Sequence, residues 1–341
     1  MHIKVNSLEE ALVTLGDELL CNSTPRETRG FKCFEYPEPV MVTINDPTQR
    51  YIYNKERGWN KHLGFAESIW LLNGVNSMDM VGKVVKNLYN FSDDGQFMRA
   101  GYGPRIRSFS GVGSDYTNAD PDLIHIQNSD VTVVDQLKYI IELLHKDINT
   151  RQASITIHDP AKDCFNRDGT IKTTKDQPCT RLLQFMVVDG KLDMTTYMRS
   201  NDFLWGFSAV NIFNFTFMQE IVANMIGVEV GRYHHVMNNI HYYENFKDKI
   251  KRIVNIKPVT LPTFKYEFKT SNFNEFDVLL KKAYKEAMLC SHNKNPYYEL
   301  QLTGEDILDD ALKSISQKFQ GQREFNSPFI NPLINRLFDG K

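Results

Sequence analysis

Between Leu183 and Met198 the chain alternates. Leu183, Phe185 and Val187 are apolar at every second position, Asp189-Gly190 interrupts, and Lys191 to Met198 resumes an extended run. A period of two marks strands with one buried face, and Asp-Gly supplies the left-handed residues of a tight hairpin turn. Elsewhere the period lengthens to that of a helix. Residues 131–146 carry apolar positions at 134, 137, 140, 141 and 144. Residues 211–225 repeat the pattern at 212, 215, 218, 221, 222 and 225, with Gly227 as a stop. The spacing also predicts a strand then an amphipathic helix over the first twenty residues, a strand at 39–45, and a helix at 64–74 ended by Gly74. Further on it predicts a strand at 259–268 and helices at 273–290 and 306–319. Residues 21–36, 46–60 and 159–177 read as turns and loops.

The predicted hairpin carries chemistry at its open end. Cys179 precedes the first strand, and Arg199-Ser200-Asn201-Asp202 follows the second. Antiparallel pairing brings both ends to one edge of a sheet. Most free cysteines are small buried hydrophobes. A thiol beside a guanidinium is different, because a nearby positive charge favours the thiolate, and Cys179 is therefore a candidate nucleophile. Glu67 lies among Phe65, Ile69, Trp70 and Leu71 at the edge of an apolar helix surface. A carboxyl there is costly to ionise, which suits general acid–base work.

Composition narrows the class. A net charge of −2 gives no general pull toward nucleic acid or anionic membranes, and the lysines of the last hundred residues read as a solvated helix face. Aromatic residues at 12% fit a globular enzyme, and no apolar run approaches a membrane span. The N-terminus lacks the layout of a signal peptide. The five cysteines form no CxxC pair, so neither a disulfide framework nor a zinc site is indicated and a cytoplasmic setting is expected. His234 and His235 are adjacent, so on a strand they face opposite ways, and no metal is expected.

The string PCT at 178–180, the Asp-Gly hairpin, and RSND at 199–202 together resemble the thymidylate synthase superfamily, which includes pyrimidine nucleotide hydroxymethylases. The likeness extends over most of the chain. ESIWLLNG at 67–74 is similar to the family's ELLWFLQG, which gives Glu67 the role of proton handler. MRAGYGPRIR at 98–107 puts Tyr102 at the family's active-site tyrosine. The resemblance implies a single α+β domain over 1–341, with a large mixed β-sheet covered by helices and a sheet-to-sheet homodimer. It implies one-carbon transfer from 5,10-methylenetetrahydrofolate to C5 of a pyrimidine nucleoside monophosphate, through a covalent bond between Cys179 and C6. The resemblance further implies that Arg199 assists the thiolate and binds phosphate with Ser200, that Arg26 or Arg29 is a further phosphate ligand, and that Arg151 reaches the partner subunit's phosphate, with Gln152 in place of the family's second arginine. It implies that His241 and Tyr243, two apart on a strand face, hold the sugar and that Asp202 holds the folate.

Base and product are read from departures. With one extra residue between Gly206 and Asn211, Asn211 falls on the family's base-reading asparagine, whose amide pairs with uracil N3–H and O4. Without that gap Val210 occupies the position and reads nothing. Helix capping is the alternative role for Asn211. The family's synthases carry a tryptophan where this chain offers Leu88 or Tyr89, and Thr180 and Asn201 match the hydroxymethylases. Methylation of dUMP is placed first, with hydroxymethylation of dUMP, dCMP or CMP as the alternative. A non-catalytic nucleotide-binding relative is the third reading.

Overall fold

The computed structural model describes residues 1–28, 30–123, 132–259, 261–321, 323–328 and 330. Its strands are β1 (His2–Val5), β2 (Thr24–Thr28), β3 (Phe31–Glu35), β4 (Val40–Ile44), β5 (Ser154–Thr156), β6 (Thr180–Val188), β7 (Lys191–Met198), β8 (Asn201–Asp202), β9 (Glu229–Met237) and β10 (Ile240–Tyr243). Its helices are α1 (Leu8–Asn22), α2 (Lys61–Leu72), α3 (Val81–Val84), α4 (Tyr102–Arg107), α5 (Gln136–Lys146), α6 (Pro160–Asp163), α7 (Ile212–Met225), α8 (Lys247–Val254), α9 (Phe273–His292) and α10 (Asp306–Gln320). A mixed six-stranded sheet runs β1-β4-β9-β7-β6-β5, parallel at β1/β4 and β7/β9 and antiparallel elsewhere. A smaller sheet runs β2-β3-β10-β8. The architecture is α+β, as expected.

The β6–β7 hairpin turns where the sequence predicts. Asp189 and Gly190 both have positive φ, 52° and 76°, as a right-twisted two-residue turn requires. Pairing then puts Leu183 opposite Thr196 and Phe185 opposite Met194, all on one face. Tyr233, His235 and Met237 of β9 join that face, opposite Met194, Thr196 and Met198. Helix α7 packs on β7 and β9 from one side and meets α2 on the other, so it is buried nearly all round. On the opposite sheet face Leu182, Met186 and Tyr197 stay 39, 37 and 40% exposed.

Four elements differ from the pattern-based expectation. Residues 261–268 alternate like a strand but join no ladder. Pro262 has no N–H to give, and the Tyr266 N–H donates to the Glu220 carboxylate at 3.3 Å. Residues 21–36 are not turn-rich: α1 runs to Asn22 and the β2–β3 hairpin follows. Helix α5 starts at Gln136 because Asp135 caps it, accepting from the Lys138 N–H. The 159–177 loop contains α6, capped in the same way by Asp159.

Candidate active site

Cys179 sits just before β6 and Arg199 just after β7. The Arg199 N–H donates to the Cys179 carbonyl at 3.0 Å, which closes the open end of the hairpin. The guanidinium is aimed by two backbone acceptors, Pro178 O at 3.1 Å and Gln177 O at 3.2 Å, and donates to Cys179 Sγ at 3.6 Å. The predicted juxtaposition of thiol and cation is therefore present, and the cation cannot swing away without losing those carbonyls.

Cys179 opens onto a cleft of about 190 Å³ whose lining includes Glu67, Leu88, Tyr102, Asp176 and Asn211. Glu67 comes from α2, and Asn214 of α7 donates to its Oε2 at 3.1 Å. Burial outweighs that hydrogen bond and pushes the Glu67 carboxyl up to about 7. Tyr102 opens α4. Its hydroxyl accepts from the Thr180 N–H at 3.2 Å, and its ring stacks on Phe215 with centroids 6.2 Å apart. Burial, then the neighbouring Cys179, raise the phenol to about 12, so it stays a hydrogen-bonding neutral group. Of the two candidates for the tryptophan position, Leu88 lines the cleft. Tyr89 turns instead toward Met78.

Asn211 does not cap α7. Its backbone is helical (φ −62°, ψ −51°) and no side-chain cap bond forms. It ends a π-helical stretch, Phe203–Asn211, opened by Asp202. A π turn holds about one residue more than an α turn, so an insertion here lengthens the turn without shifting α7. Arg57 clamps the stretch from outside, with Nε donating to Ser208 Oγ at 2.8 Å and Nη2 to Leu204 O at 2.7 Å. Trp59 Nε1 adds a bond to Ala209 O at 2.8 Å. Burial of the Arg57 guanidinium lowers it to about 10. The Asn211 amide is thus free for other partners, and its Nδ2 donates to Asn201 Oδ1 at 3.2 Å and contacts Met198 Sδ at 3.6 Å.

The remaining predicted residues divide. Ser200 donates to Asn239 Oδ1 at 3.1 Å and His241 Nδ1 lies 2.8 Å from the same oxygen, so the two meet through Asn239. Asp202 pairs with His241 between β8 and β10, and the His241 and Tyr243 rings meet edge to face at 5.5 Å. Asp202 and Tyr243 line a second opening with Trp205, Phe31 and Phe91, not the Cys179 cleft. Asp202 Oδ1 accepts from the Leu204 and Trp205 N–H groups, while Oδ2 is buried without a hydrogen-bond partner among the described residues. Burial raises its pKa. Arg26 lies on β2, exposed and ion-paired to Glu35 at 3.0 Å, outside both openings, and Arg29 lies outside the described residues. Arg151 is exposed before β5 and also lines neither opening. Among the described residues no group of three or more His, Cys, Asp or Glu could hold a metal, and no helix is long and apolar enough to cross a membrane.

Sequence reasoning missed Asn239, Asn214, Arg57 and Asp176. Asp176 Oδ2 accepts from the Ala100 N–H at 2.8 Å, and burial raises it to about 6, giving the cleft a second carboxyl. Its position three residues before the cysteine was the only available signal.

A family model described as thymidylate synthase matches residues 51–293. The chain belongs to the thymidylate synthase family. A deoxyuridylate hydroxymethyltransferase of Bacillus phage SP01 is 38% identical over 205 residues, covering 60% of this chain and 49% of the relative. One of the same name from Pseudomonas phage M6 is 31% identical over 255 residues, covering 74% and 65%. A thymidylate synthase of Listeria monocytogenes serotype 4b is 32% identical over 145 residues, covering 42% and 43%. The chain thus spans between 43 and 65% of the length of these relatives. The family match accords with the resemblance read from PCT, RSND and ESIWLLNG.

Proposed function

We propose that this member of the thymidylate synthase family transfers a one-carbon unit from 5,10-methylenetetrahydrofolate to C5 of dUMP and releases the 5-hydroxymethyl product. The carrying observation is the Arg199–Cys179 pair opening onto a cleft that also holds Glu67 and Asn211. A pyrimidine C5 is a poor nucleophile. Addition of the thiolate at C6 makes C5 nucleophilic, so that one hard step becomes two easier ones. Arg199 would balance the charge of the sulfur and contact phosphate with Ser200. Glu67, held near neutrality by burial, can both give and take protons at the base. Tyr102, whose hydroxyl accepts from the Thr180 N–H, would fix the backbone beside the nucleophile.

The product assignment weighs two features. Relatives named deoxyuridylate hydroxymethyltransferases support a uracil base and a hydroxymethyl product. Leu88 supports the same outcome, because an aliphatic side chain provides no large ring to exclude water from the transferred carbon. The uracil assignment from Asn211 is retained, and methylation to dTMP becomes the second reading. A reduced folate would use the second opening: the Oδ2 of Asp202, buried with no hydrogen-bond partner among the described residues, is an acceptor suited to a ring N–H, and Trp205 and Phe91 offer aromatic surface. When bound, that folate supplies the carbon. His241 and Tyr243 would meet the sugar.

A homodimer through the open sheet face is part of the proposal. Leu182, Met186 and Tyr197 give that face an exposed apolar surface among the described residues, and Arg151 would reach the partner's phosphate. Arg26 would join the phosphate site by exchanging Glu35 for the ligand.

The deciding experiment incubates the protein with dUMP, dCMP and CMP in parallel with methylenetetrahydrofolate. Hydroxymethyl-dUMP with tetrahydrofolate is expected, and Cys179→Ser should abolish turnover while nucleotide binding stays within about tenfold. Dihydrofolate and dTMP would establish methylation instead. Turnover by Cys179→Ser, or no covalent adduct with 5-fluoro-dUMP by mass spectrometry, would remove the nucleophile.

A further inference from the structure

Behind Asn211 runs a chain of buried polar side chains that the reaction itself does not use. Asn201 Nδ2 lies 2.7 Å from His235 Nε2, His235 Nδ1 lies 2.8 Å from the Tyr233 hydroxyl, and that hydroxyl lies 3.0 Å from Thr196 Oγ1. Thr196, Tyr233 and His235 occupy the helix-covered face of the large sheet and are fully buried. From this chain we infer that His235 is a positioning residue that, through Asn201, fixes which end of the Asn211 amide meets the base, and so sets uracil over cytosine. The inference rests on the reading of Asn211 as the base reader.

The direction of each hydrogen bond follows from one fixed point. Met198 Sδ lies beside one end of the Asn211 amide, and a thioether sulfur accepts but never donates. That end is therefore the nitrogen. The neighbouring atom of Asn201 must then be its oxygen, which leaves its Nδ2 to donate to His235 Nε2. An imidazole accepting at Nε2 carries its proton on Nδ1, which donates to the Tyr233 oxygen. Tyr233 in turn donates to Thr196. The ring must be neutral for this to hold. Full burial beside the edge of Phe207, 5.6 Å between centroids, keeps it so, with a pKa pushed down to about 3.

Reversing Asn211 would set its oxygen against the oxygen of Asn201. In the observed orientation Oδ1 and the second N–H, which has only the weak sulfur acceptor, remain for the base. Uracil offers an N3–H donor and an O4 acceptor, which match. Cytosine offers the opposite pair. Gly206 makes room for the arrangement, since a Cβ there would fall 2.0 Å from Asn201 Oδ1.

The test compares His235→Phe, His235→Gln and Asn211→Ala with wild type. kcat/KM for dUMP and dCMP is measured for each, with calorimetric binding of both nucleotides and thermal melting as a check of folding. Gln can accept from Asn201 with its oxygen and donate to Tyr233 with its nitrogen, whereas Phe can do neither. His235→Phe should lower the dUMP:dCMP ratio roughly tenfold, mainly through KM and binding, and His235→Gln should keep it within about threefold. A folded His235→Phe with an unmoved ratio, or a Gln variant no better than Phe, would overturn the role. If Asn211→Ala also leaves the ratio unmoved, the base-reading assignment fails as well; if it collapses the ratio alone, only the relay fails. Should His235→Phe not fold, nitrogen-15 NMR of the wild-type ring decides: an Nδ1–H tautomer is expected, and an Nε2–H tautomer would refute the polarity.

Discussion

Replacing Glu67 by Gln should separate activity from stability, with a sign that depends on pH. Burial moves this carboxyl from 4.5 to about 7. At about 1.4 kcal/mol per pH unit, its charged form is disfavoured in the folded protein by at most about 3.5 kcal/mol. Water entering the cleft reduces that to roughly 1–3 kcal/mol. Below pH 4.5 the carboxyl is protonated in both the folded and unfolded chain, and the favourable neutral form is fully present. As pH rises the unfolded chain releases its proton first, and the folded chain is progressively destabilised until the folded pKa is passed. The substituted amide never ionises, and its oxygen can still accept from Asn214. The stability of Glu67→Gln relative to wild type should therefore rise by about 1–3 kcal/mol between pH 4.5 and 8, while turnover falls at least about a hundredfold. Urea melts of both proteins at the two pH values measure it. Glu9 and Asp176, raised by burial to about 7 and 6, titrate in the same window but cancel in the difference. A variant-minus-wild-type gap that does not move with pH would refute the buried, near-neutral carboxyl.

Gly206→Ala places a Cβ 2.0 Å from Asn201 Oδ1 and 3.0 Å from Asn211 Nδ2; it should cost about 1–3 kcal/mol in thermal melts and raise KM for dUMP, and unchanged values would contradict the close approach. Arg151→Glu and Cys179→Ser should each be inactive alone, yet regain a fraction of activity when mixed, because some heterodimers hold one site free of both lesions. No recovery after verified subunit exchange would confine Arg151 to its own chain.

The residues that were legible in the sequence depend on local rules. Alternation plus Asp-Gly defines the β6–β7 hairpin by itself, and the hairpin alone brings Cys179 to Arg199. Glu67 was legible because its apolar neighbours on one helix already imply burial. Residues 261–268 misled for the converse reason: alternation describes a strand's side chains, but a strand exists only where a partner strand takes its backbone groups. Here a carboxylate of α7 takes the Tyr266 N–H. The π turn was invisible because the run Phe203–Val210 is too uniformly apolar to separate its period from that of an α-helix. Asn214 and Arg57, and Asn239 in its bond to Ser200, act through contacts distant in sequence, which no local pattern encodes. Arg57 illustrates the distance, meeting Ser208 across 151 positions.

The extra residue before Asn211 and the relay behind it answer one another. Val210 and Asn211 both line the cleft, and of the two only the amide can pair with a base edge. The wider turn keeps an amide there beside the valine. From outside the stretch, Arg57 and Trp59 donate to three of its carbonyls, at Leu204, Ser208 and Ala209. The same winding removes Asn211 from the capping position, where backbone N–H groups would have held its oxygen. An amide released in that way has two orientations that differ only in which atom faces the base. A reader with no memory of its orientation discriminates poorly, since it can satisfy uracil or cytosine by a flip. The Asn201–His235–Tyr233–Thr196 chain removes that freedom from the side away from substrate. Three of its members, Thr196, Tyr233 and His235, are buried on a sheet face otherwise filled by Phe185, Leu192 and Met194, where polar groups are tolerable only if each finds its hydrogen-bond partner.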